Sequence, residues 1–437
     1  MKNRKSNIEH ESRTRRLTGH ALSLAAAITL GLYGAVAPAP VHAQATTGSI
    51  FGQAPAGSGE TVLVRNNSGV SRQVAVDANG RYTVDSLPLG DYTVTLQRDG
   101  QTIDSRSHVT MRVGAGTEVS FAGAAGAQTL SAVTVQANAL PSIDVTGVDS
   151  RTVITSQQLA RLPLARSAEA IALLAPGVVE GSGLFNGLST TGGSVVSLGG
   201  SSVVENAYYI NGFNTTDPLS GFGGLTLPYG AIDQQEVLSG GYGAAYGRSD
   251  GGVISQVGKR GTNEWHFGGQ VQWTPTDLQG DPKNFYYVNS DGSRGNIYRR
   301  RGDNKSWTTT VDAYVGGPLI KDKLFFFAAV EAEREQGLGN AGSAADRGVG
   351  PVTAPFETHT REDRPKWYGK LDWNINDSNV LELTGASSKD SYQGTTYNYD
   401  YDSDKQTDYV GGATSTKNGA DLYSAKFTSY ITDDLTV

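Results

Sequence analysis

Apolar and polar residues alternate along much of the C-terminal half of the chain. In "EWHFGGQVQW" (residues 264–273) the large apolar side chains fall on odd positions and the polar ones on even positions. "KWYGKLDWNI" (residues 366–375) repeats the pattern, with Trp367 and Trp373 opposite Lys370. Successive side chains of a strand point to opposite faces, and a transmembrane strand needs about 9 to 11 residues that are apolar toward lipid and polar toward the lumen. These segments therefore predict strands of a transmembrane antiparallel β-barrel.

The connections between these strands differ in length. "GGPLIKDK" (316–323), "NDSN" (376–379) and "TDD" (432–434) predict tight turns, whereas about 30 residues separate other strands, as in outer-membrane barrels. A soluble β-sandwich is the alternative, but it would have to explain loops that are long at one end only. About six or seven strands are predicted, whereas plugged transporters have about 22. We therefore expect an open, curved sheet with an exposed edge and interpret the sequence as C-terminally incomplete.

Short alternating segments also occur near the N terminus, over residues 44–123. Turn signals at Asn79-Gly80 and Asp99-Gly100 separate them, and "SHVTMRV" (107–113) is predicted as a further strand. Short strands at this spacing predict a small antiparallel β-sandwich. The piece "DANGRYTVDSLPLGDYTVTL" resembles the carboxypeptidase regulatory-like (starch-binding-like) domain, a non-catalytic β-sandwich.

Helical and extended patterns mix between these two regions, over residues 141–262. After the strand "SRTVIT", Thr155 or Ser156 is suited to cap a helix that is broken at Pro163, and a second helical stretch over 167–174 ends before Pro176. Short strands separated by glycine-rich loops follow. The pattern predicts an α+β domain of ordinary size.

Three motifs in this part of the chain resemble those of TonB-dependent receptors. "APGV", "YYINGFN" and "AIDQQEVLSGGYGAAYGRSDGGVISQVGKRGTNEWHFG" are similar to the plug domain and the plug-to-barrel junction of that family, and most to its Oar-like branch, which also has a regulatory-like sandwich before the plug. The resemblance assigns Tyr246, Gly247, Gly251 and Gly252 to the junction, where glycine lets the chain pass close to its neighbours. "VISQVGKRG" departs from the family, which more often has Asn after the paired glycines and Thr-Lys further on.

The segment between sandwich and plug, residues 124–140, has the small-residue composition of a flexible linker. It contains one β-branched run, which by itself is equally consistent with an ordinary edge strand. Because of its position, it resembles the TonB box, which adds itself to a sheet of the periplasmic domain of TonB. The resemblance thus implies TonB binding by Leu130, Ser131, Ala132, Val133, Thr134 and Val135.

The N terminus and the overall composition limit the cellular context. Residues 1–43 combine a basic region, an apolar run and small residues, which predicts a signal peptide; a single membrane anchor is the alternative. The formal net charge of −7 becomes more negative without this basic segment, which argues against nucleic-acid binding. The chain has no cysteine, and this excludes a disulfide scaffold and thiolate catalysis.

Candidate enzyme and metal sites are incomplete in the sequence. His359 and Glu362 match a His-x-x-Glu zinc motif, but no histidine follows to complete the three ligands of a catalytic zinc. Asp400, Asp402 and Asp404 alternate like calcium ligands, but Lys405 stands where an EF-hand loop needs glycine. We therefore expect no enzyme activity, no metal and no cofactor.

The sequence thus predicts a mainly β protein: an N-terminal β-sandwich, an α+β plug domain and the first strands of a barrel over residues 263–437. The resemblance implies an outer-membrane receptor that takes up an unidentified extracellular ligand with energy coupled through TonB, and contacts outer-membrane lipids. The alternative is an outer-membrane surface-binding or adhesion protein whose sandwich binds carbohydrate or protein, without transport. The sequence assigns no ligand-binding residues.

Overall fold

The computed structural model describes most of the chain after the predicted signal peptide. The described residues are 46–55, 59–121, 149–162, 166–182, 195–221, 223–247, 249–343 and 354–431. The predicted signal peptide 1–43, the linker 124–140 with its candidate TonB box, and the predicted turn 432–434 lie outside them. None of the helices in the described part of the chain has the length and apolar character needed to cross a membrane.

The N-terminal region forms the predicted sandwich of two sheets. Its strands are β1 (Thr47–Gln53), β2 (Glu60–Asn66), β3 (Ser71–Ala75), β4 (Arg81–Pro88), β5 (Asp91–Arg98), β6 (Gln101–Thr110) and β7 (Gly116–Glu118). One sheet has the order β4-β1-β7 and the other β3-β2-β5-β6. Alternate residues of the strands fill the space between the sheets, and these include Ile50, Val62, Val64, Tyr82, Val84, Tyr92, Val94 and Leu96.

Two features of the sandwich differ from the sequence prediction. The β1–β7 pair is parallel, because the chain crosses from the second sheet back to the first after β6. The strand predicted over 107–113 instead begins at Gln101 and ends at Thr110. Most residues of β6 are exposed, so the strand lacks the apolar alternation that marks a half-buried one.

The plug domain is built on a five-stranded sheet with the order β12-β11-β14-β13-β8. The described strands of the plug domain are β8 (Ser150–Thr155), β9 (Val178–Glu180), β10 (Val196–Leu198), β11 (Ala207–Ile210), β12 (Phe213–Asn214), β13 (Ile232–Gly240) and β14 (Val253–Gly258). Of these, β9 and β10 form a separate two-stranded sheet. The helices of the domain are α1 (Ser156–Leu159), α2 (Ala168–Ala172) and the 3-10 turns Val203–Glu205, Tyr229–Ala231 and Ala244–Tyr246. Of the two predicted capping residues, Thr155 caps α1, in a capping box with Gln158. Ser167 caps α2, which lies within the predicted second helical stretch.

The C-terminal region forms an antiparallel sheet, here called the wall, with the order β15-β18-β19-β20-β21-β22. Its strands are β15 (His266–Thr274), β18 (Lys305–Ile320), β19 (Leu324–Ala341), β20 (Phe356–Asn376), β21 (Asn379–Asp400) and β22 (Lys405–Ser429). The loop between β15 and β18 contains a 3-10 turn, Thr276–Leu278, and the hairpin β16 (Phe285–Val288) and β17 (Arg294–Arg299). The described strands form an open sheet with the predicted short turns at one end, after β18 and after β20.

Side chains alternate across the wall as the sequence predicts. In β20, Tyr368, Lys370 and Asp372 are buried against the plug, whereas Trp367 and Trp373 are exposed on the opposite face. The apolar core of the plug continues into the wall through Phe327, Ala329, Tyr368 and Ala386. In β15 both faces are exposed, because this strand lies at the edge of the sheet, where the plug covers it little. The plug thus packs on the face of the wall that would line a barrel lumen.

Candidate functional site

The hairpin between β11 and β12 ties the plug to the wall. Asn211 and Gly212, at its tip, both have positive φ, as tight two-residue hairpin turns require. The side-chain amide of Asn211 donates to Tyr368 Oη of β20 at 3.1 Å, and its Oδ1 accepts from the amide of Gly258 at 2.8 Å. The motif "YYINGFN" therefore positions an asparagine that joins the plug hairpin, the last plug strand and the wall.

A buried ion cluster lies next to this contact. The guanidinium of Arg260, just beyond the last plug strand, lies 2.5 Å from Glu382 Oε1 and 3.4 Å from Asp372 Oδ1, both in the wall. Lys370 Nζ lies 2.8 Å from Glu382 Oε1, and Lys426 lies 3.8 Å from its other oxygen. These groups are largely withdrawn from solvent, so they interact through a low local dielectric. Movement of the plug would separate Arg260 from Asp372 and Glu382 and leave charges of the wall without a partner.

Asp233 of β13 faces the same cluster from the plug side. Burial raises the pKa of Asp233, and the cations Lys259, Arg260 and Lys370 oppose that shift. Asp233, Arg260, Lys370 and Glu382 line a small polar cavity between plug and wall. The cavity therefore presents charges of both signs, with the plug contributing both a cation and a carboxylate.

A second ion cluster holds the segment before α2 against β18 and β19. Arg166 forms a salt bridge with Asp312, lies 3.4 Å from Glu331 Oε2 and donates to Gln272 Oε1 at 3.0 Å. The amide of Tyr229 donates to the same Glu331 oxygen at 2.9 Å. Removing one partner of a buried ion pair costs about 3 to 5 kcal/mol, because the other charge is left uncompensated. Both clusters therefore resist displacement of the plug along the wall.

Glycines permit the closest approach of plug and wall. A Cβ on Gly258 would lie 2.4 Å from Tyr368 Cζ and Oη, and one on Gly261 would lie 2.4 Å from the carbonyl oxygen of Phe326. Sequence reasoning did not single out these two positions, although both stand in the quoted junction motif. The close contacts of the predicted junction residues Gly251 and Gly252 are instead inside the plug, with Ser201, Asn206, Leu198 and Leu238.

The other predicted junction residues, Tyr246 and Gly247, also lie within the plug. The Tyr246 ring packs edge-on against Tyr209 and Tyr242. Beside it, the Glu236 carboxylate lies 3.0 Å from Arg151 Nε of β8. Burial raises the pKa of Glu236 to about 7, although Arg151 opposes this shift. This contact joins β13 to β8, the first strand of the plug.

Three of the carboxylates considered as metal ligands are engaged by other groups. Glu362 forms a salt bridge with Arg364, and Asp404 is paired with Arg300. Asp400 accepts from the amide of Asp402 and from Ser403 within its own turn. Among the described residues, no group of histidines and carboxylates is arranged to hold a metal ion.

Two family models match the chain in the order of its domains. Residues 53–123 match the carboxypeptidase regulatory-like domain, and residues 144–254 match the TonB-dependent receptor plug domain. Over 264 residues the chain is 31% identical to the TonB-dependent transporter Oar of Myxococcus xanthus, covering 58% of this chain and 23% of that protein. The chain thus spans about a quarter of the length of this relative.

Solved structures of receptors are also similar to the chain. The siderophore receptor PirA from Acinetobacter baumannii matches with a TM-score of 0.33 and 15% identity, over 64% of this chain and 44% of PirA. A mutant of the ferric enterobactin receptor PfeA from Pseudomonas aeruginosa matches with a TM-score of 0.38 and 13% identity, over 64% of this chain and 38% of PfeA. The chain therefore contains a TonB-dependent receptor plug domain preceded by a carboxypeptidase regulatory-like domain, and it is similar to the TonB-dependent transporter Oar.

Proposed function

We propose that this protein is an outer-membrane receptor that takes up an extracellular ligand with energy supplied through TonB. The observation that carries the proposal is the pair of buried ion clusters, around Arg260 and around Arg166, that hold the plug against the lumenal face of the wall. A plug held in this way closes a lumen at rest. It can open a path only when work is done on it.

The size of that work explains the need for an energy source. Loss of one partner from a buried ion pair costs about 3 to 5 kcal/mol, which is several times thermal energy, and both clusters must separate if the plug moves as a unit. A ligand that binds from outside can shift the plug only by the difference between its affinities for the two plug positions. Mechanical force through TonB supplies the remainder.

The route of that force begins at the segment from Leu130 to Val135. In this proposal the segment adds itself as a strand to the periplasmic domain of TonB, with main-chain hydrogen bonds providing affinity. The next described strand along the chain is β8, which among the described strands pairs only with β13, at the edge of the plug sheet. Force applied to the segment therefore reaches an edge strand, which can separate without prior disruption of the central strands.

The exposed face of the wall supports a location in the outer membrane, reached through the signal peptide 1–43. This face carries large apolar side chains on neighbouring strands: Phe267, Val271, Val311, Val330, Trp367, Trp373 and Phe427. Transmembrane barrel strands present such residues to lipid, with aromatic rings near the interfaces. The lipids of the outer membrane are thus a proposed partner of the wall.

Capture by TonB tests the proposal. The full chain, purified from outer membranes in detergent, is mixed with the immobilised periplasmic domain of TonB and compared with Val133→Pro and Val133→Ala. Proline removes the main-chain N–H donor and restricts the backbone. Alanine keeps the donor and the backbone freedom, so it serves as the matched control. We expect capture of the wild type and of Val133→Ala, and loss of capture with Val133→Pro. Absence of wild-type capture would contradict the proposal and favour the adhesion alternative.

A further inference from the structure

Side chains of the plug form hydrogen bonds with main-chain groups of the N-terminal sandwich. Gln234 of β13 uses both ends of its side-chain amide: Oε1 accepts from the amide of Val113 at 3.0 Å, and Nε2 donates to the carbonyl oxygen of Met111 at 2.7 Å. Arg151 of β8 donates to the carbonyl oxygen of Val113 at 3.2 Å. Val257 of β14 joins the apolar core of the sandwich. The sandwich is thus joined to three strands of the plug.

The same sandwich also contacts the wall, at the end that carries the short turns. Asn374 of β20 donates to the carbonyl oxygen of Ser68 at 3.0 Å, and Tyr430, just after β22, donates to that of Ser86 at 3.0 Å. The guanidinium of Arg72 lies 4.0 Å from the centre of the Tyr430 ring. Gly69 lies so close to the wall that a Cβ there would be 2.4 Å from the carbonyl oxygen of Asp322.

We propose that the sandwich is an intramolecular clamp that joins the plug to the wall and must release one of them before the plug can move. The reason is geometric, because a body bonded to two parts resists their relative displacement. The sandwich also borders the cavity of the Arg260 cluster, through Thr46 and Leu89. Its release would admit water to these ion pairs and weaken them, since charges attract less strongly at high dielectric.

The role of the clamp during uptake rests on the proposed function. The sequence places the candidate TonB-binding segment between Val113 and Arg151, which are themselves in contact. Force on that segment would therefore act on the sandwich and on β8 together. The clamp contacts exist without TonB, however, and can be tested without it.

Hydrogen exchange measured by mass spectrometry on the full chain in detergent, without TonB, tests the clamp. The variants change the wall side only: Tyr430→Phe, which keeps the ring, and Tyr430→Phe combined with Asn374→Ala. Neither residue has a described hydrogen bond to the plug. Asn379→Ala is the matched control, because the described hydrogen bond of its side chain, to Asn376, lies within the short turn.

We expect the double variant to exchange amides of β8 and β13 at least tenfold faster than the wild type, with a smaller increase in Tyr430→Phe and none in Asn379→Ala. Exchange in β19 and β20 should remain at the wild-type rate, which shows that the wall is folded. Unchanged exchange in β8 and β13 in both variants, or acceleration confined to the sandwich, would overturn the clamp. That result leaves TonB capture unaffected, so the two proposals can fail separately.

Discussion

Substitution of Gly258 by alanine should loosen the plug from the wall. The added Cβ would lie 2.4 Å from Tyr368 Cζ and Oη and 2.8 Å from its Cε2, whereas ordinary carbon contacts begin near 3.4 Å. Tyr368 cannot easily retreat, since its side chain is fully buried and its hydroxyl accepts from Asn211. The plug strand must therefore move about 1 Å away from β20, and this strains the Gly258–Asn211 hydrogen bond as well.

The expected cost follows from these contacts. Overpacking of a well-packed core costs about 1 to 3 kcal/mol, and weakening the hydrogen bond to Asn211 adds about 1 kcal/mol. A loss of about 2 to 4 kcal/mol should appear as faster hydrogen exchange in β14 and β11 and as a lower denaturation midpoint of the plug. The purified chain in detergent is sufficient for both measurements.

Two comparisons isolate the plug–wall contact. Gly240→Ala is the matched control, because nothing lies within 4 Å of its added Cβ and it should be close to neutral. Tyr368→Leu should partly rescue Gly258→Ala by removing the ring that the Cβ meets. Wild-type exchange and stability in Gly258→Ala would refute the close packing of plug and wall at this position.

Three further changes test other contacts of the plug. Arg166→Ala should destabilise the plug by about 3 kcal/mol, because Asp312 loses its buried partner, and Arg300→Ala, at a more exposed ion pair, should cost less than about 1 kcal/mol; urea titration of both variants checks this difference. Thr155→Ala should cost about 1 kcal/mol in the same assay through loss of the α1 cap, and a neutral result would contradict the capping geometry. Burial raises the pKa of Glu236 to about 7, so the folded plug binds a proton that the unfolded chain has already released above about pH 4.5; stability should fall by up to about 3 kcal/mol as pH rises from 4.5 to 7. Urea titrations across this range should show a flatter profile for Glu236→Gln, and an equally steep one would contradict the buried carboxyl.

Local patterns in the sequence were sufficient to predict much of the fold. The period-two alternation around Trp367 and Trp373 identified both the strand and its exposed side, because a sheet that is covered on one face only requires it. The cap at Thr155 and the turns after β18 and β20 depend on neighbouring residues only, and they are confirmed. The exposed edge strand β6 was partly missed, because its residues meet no apolar layer that would impose a pattern.

The contacts that form the candidate site could not be predicted in this way. Arg166 and Asp312 are 146 positions apart, and only the register of the wall and the placement of the plug bring them together. Likewise, no role of Gln234 was predicted from the sequence, although both ends of its side-chain amide form hydrogen bonds with the sandwich. Such pairings depend on tertiary packing, which cannot be predicted from the residues that neighbour each partner in the sequence.

The most direct measurement of the central claim is maleimide labelling of Thr384→Cys in cells. Thr384 is buried in the wall beneath Asn211 of the plug, and the chain has no other cysteine. Asp408→Cys, at an exposed position of β22, is the control for access of the probe. We expect Thr384→Cys to react only when TonB and the proton gradient are present, whereas Asp408→Cys should react in all cells. Equal labelling of Thr384→Cys with and without TonB would contradict TonB-driven separation of the plug from the wall.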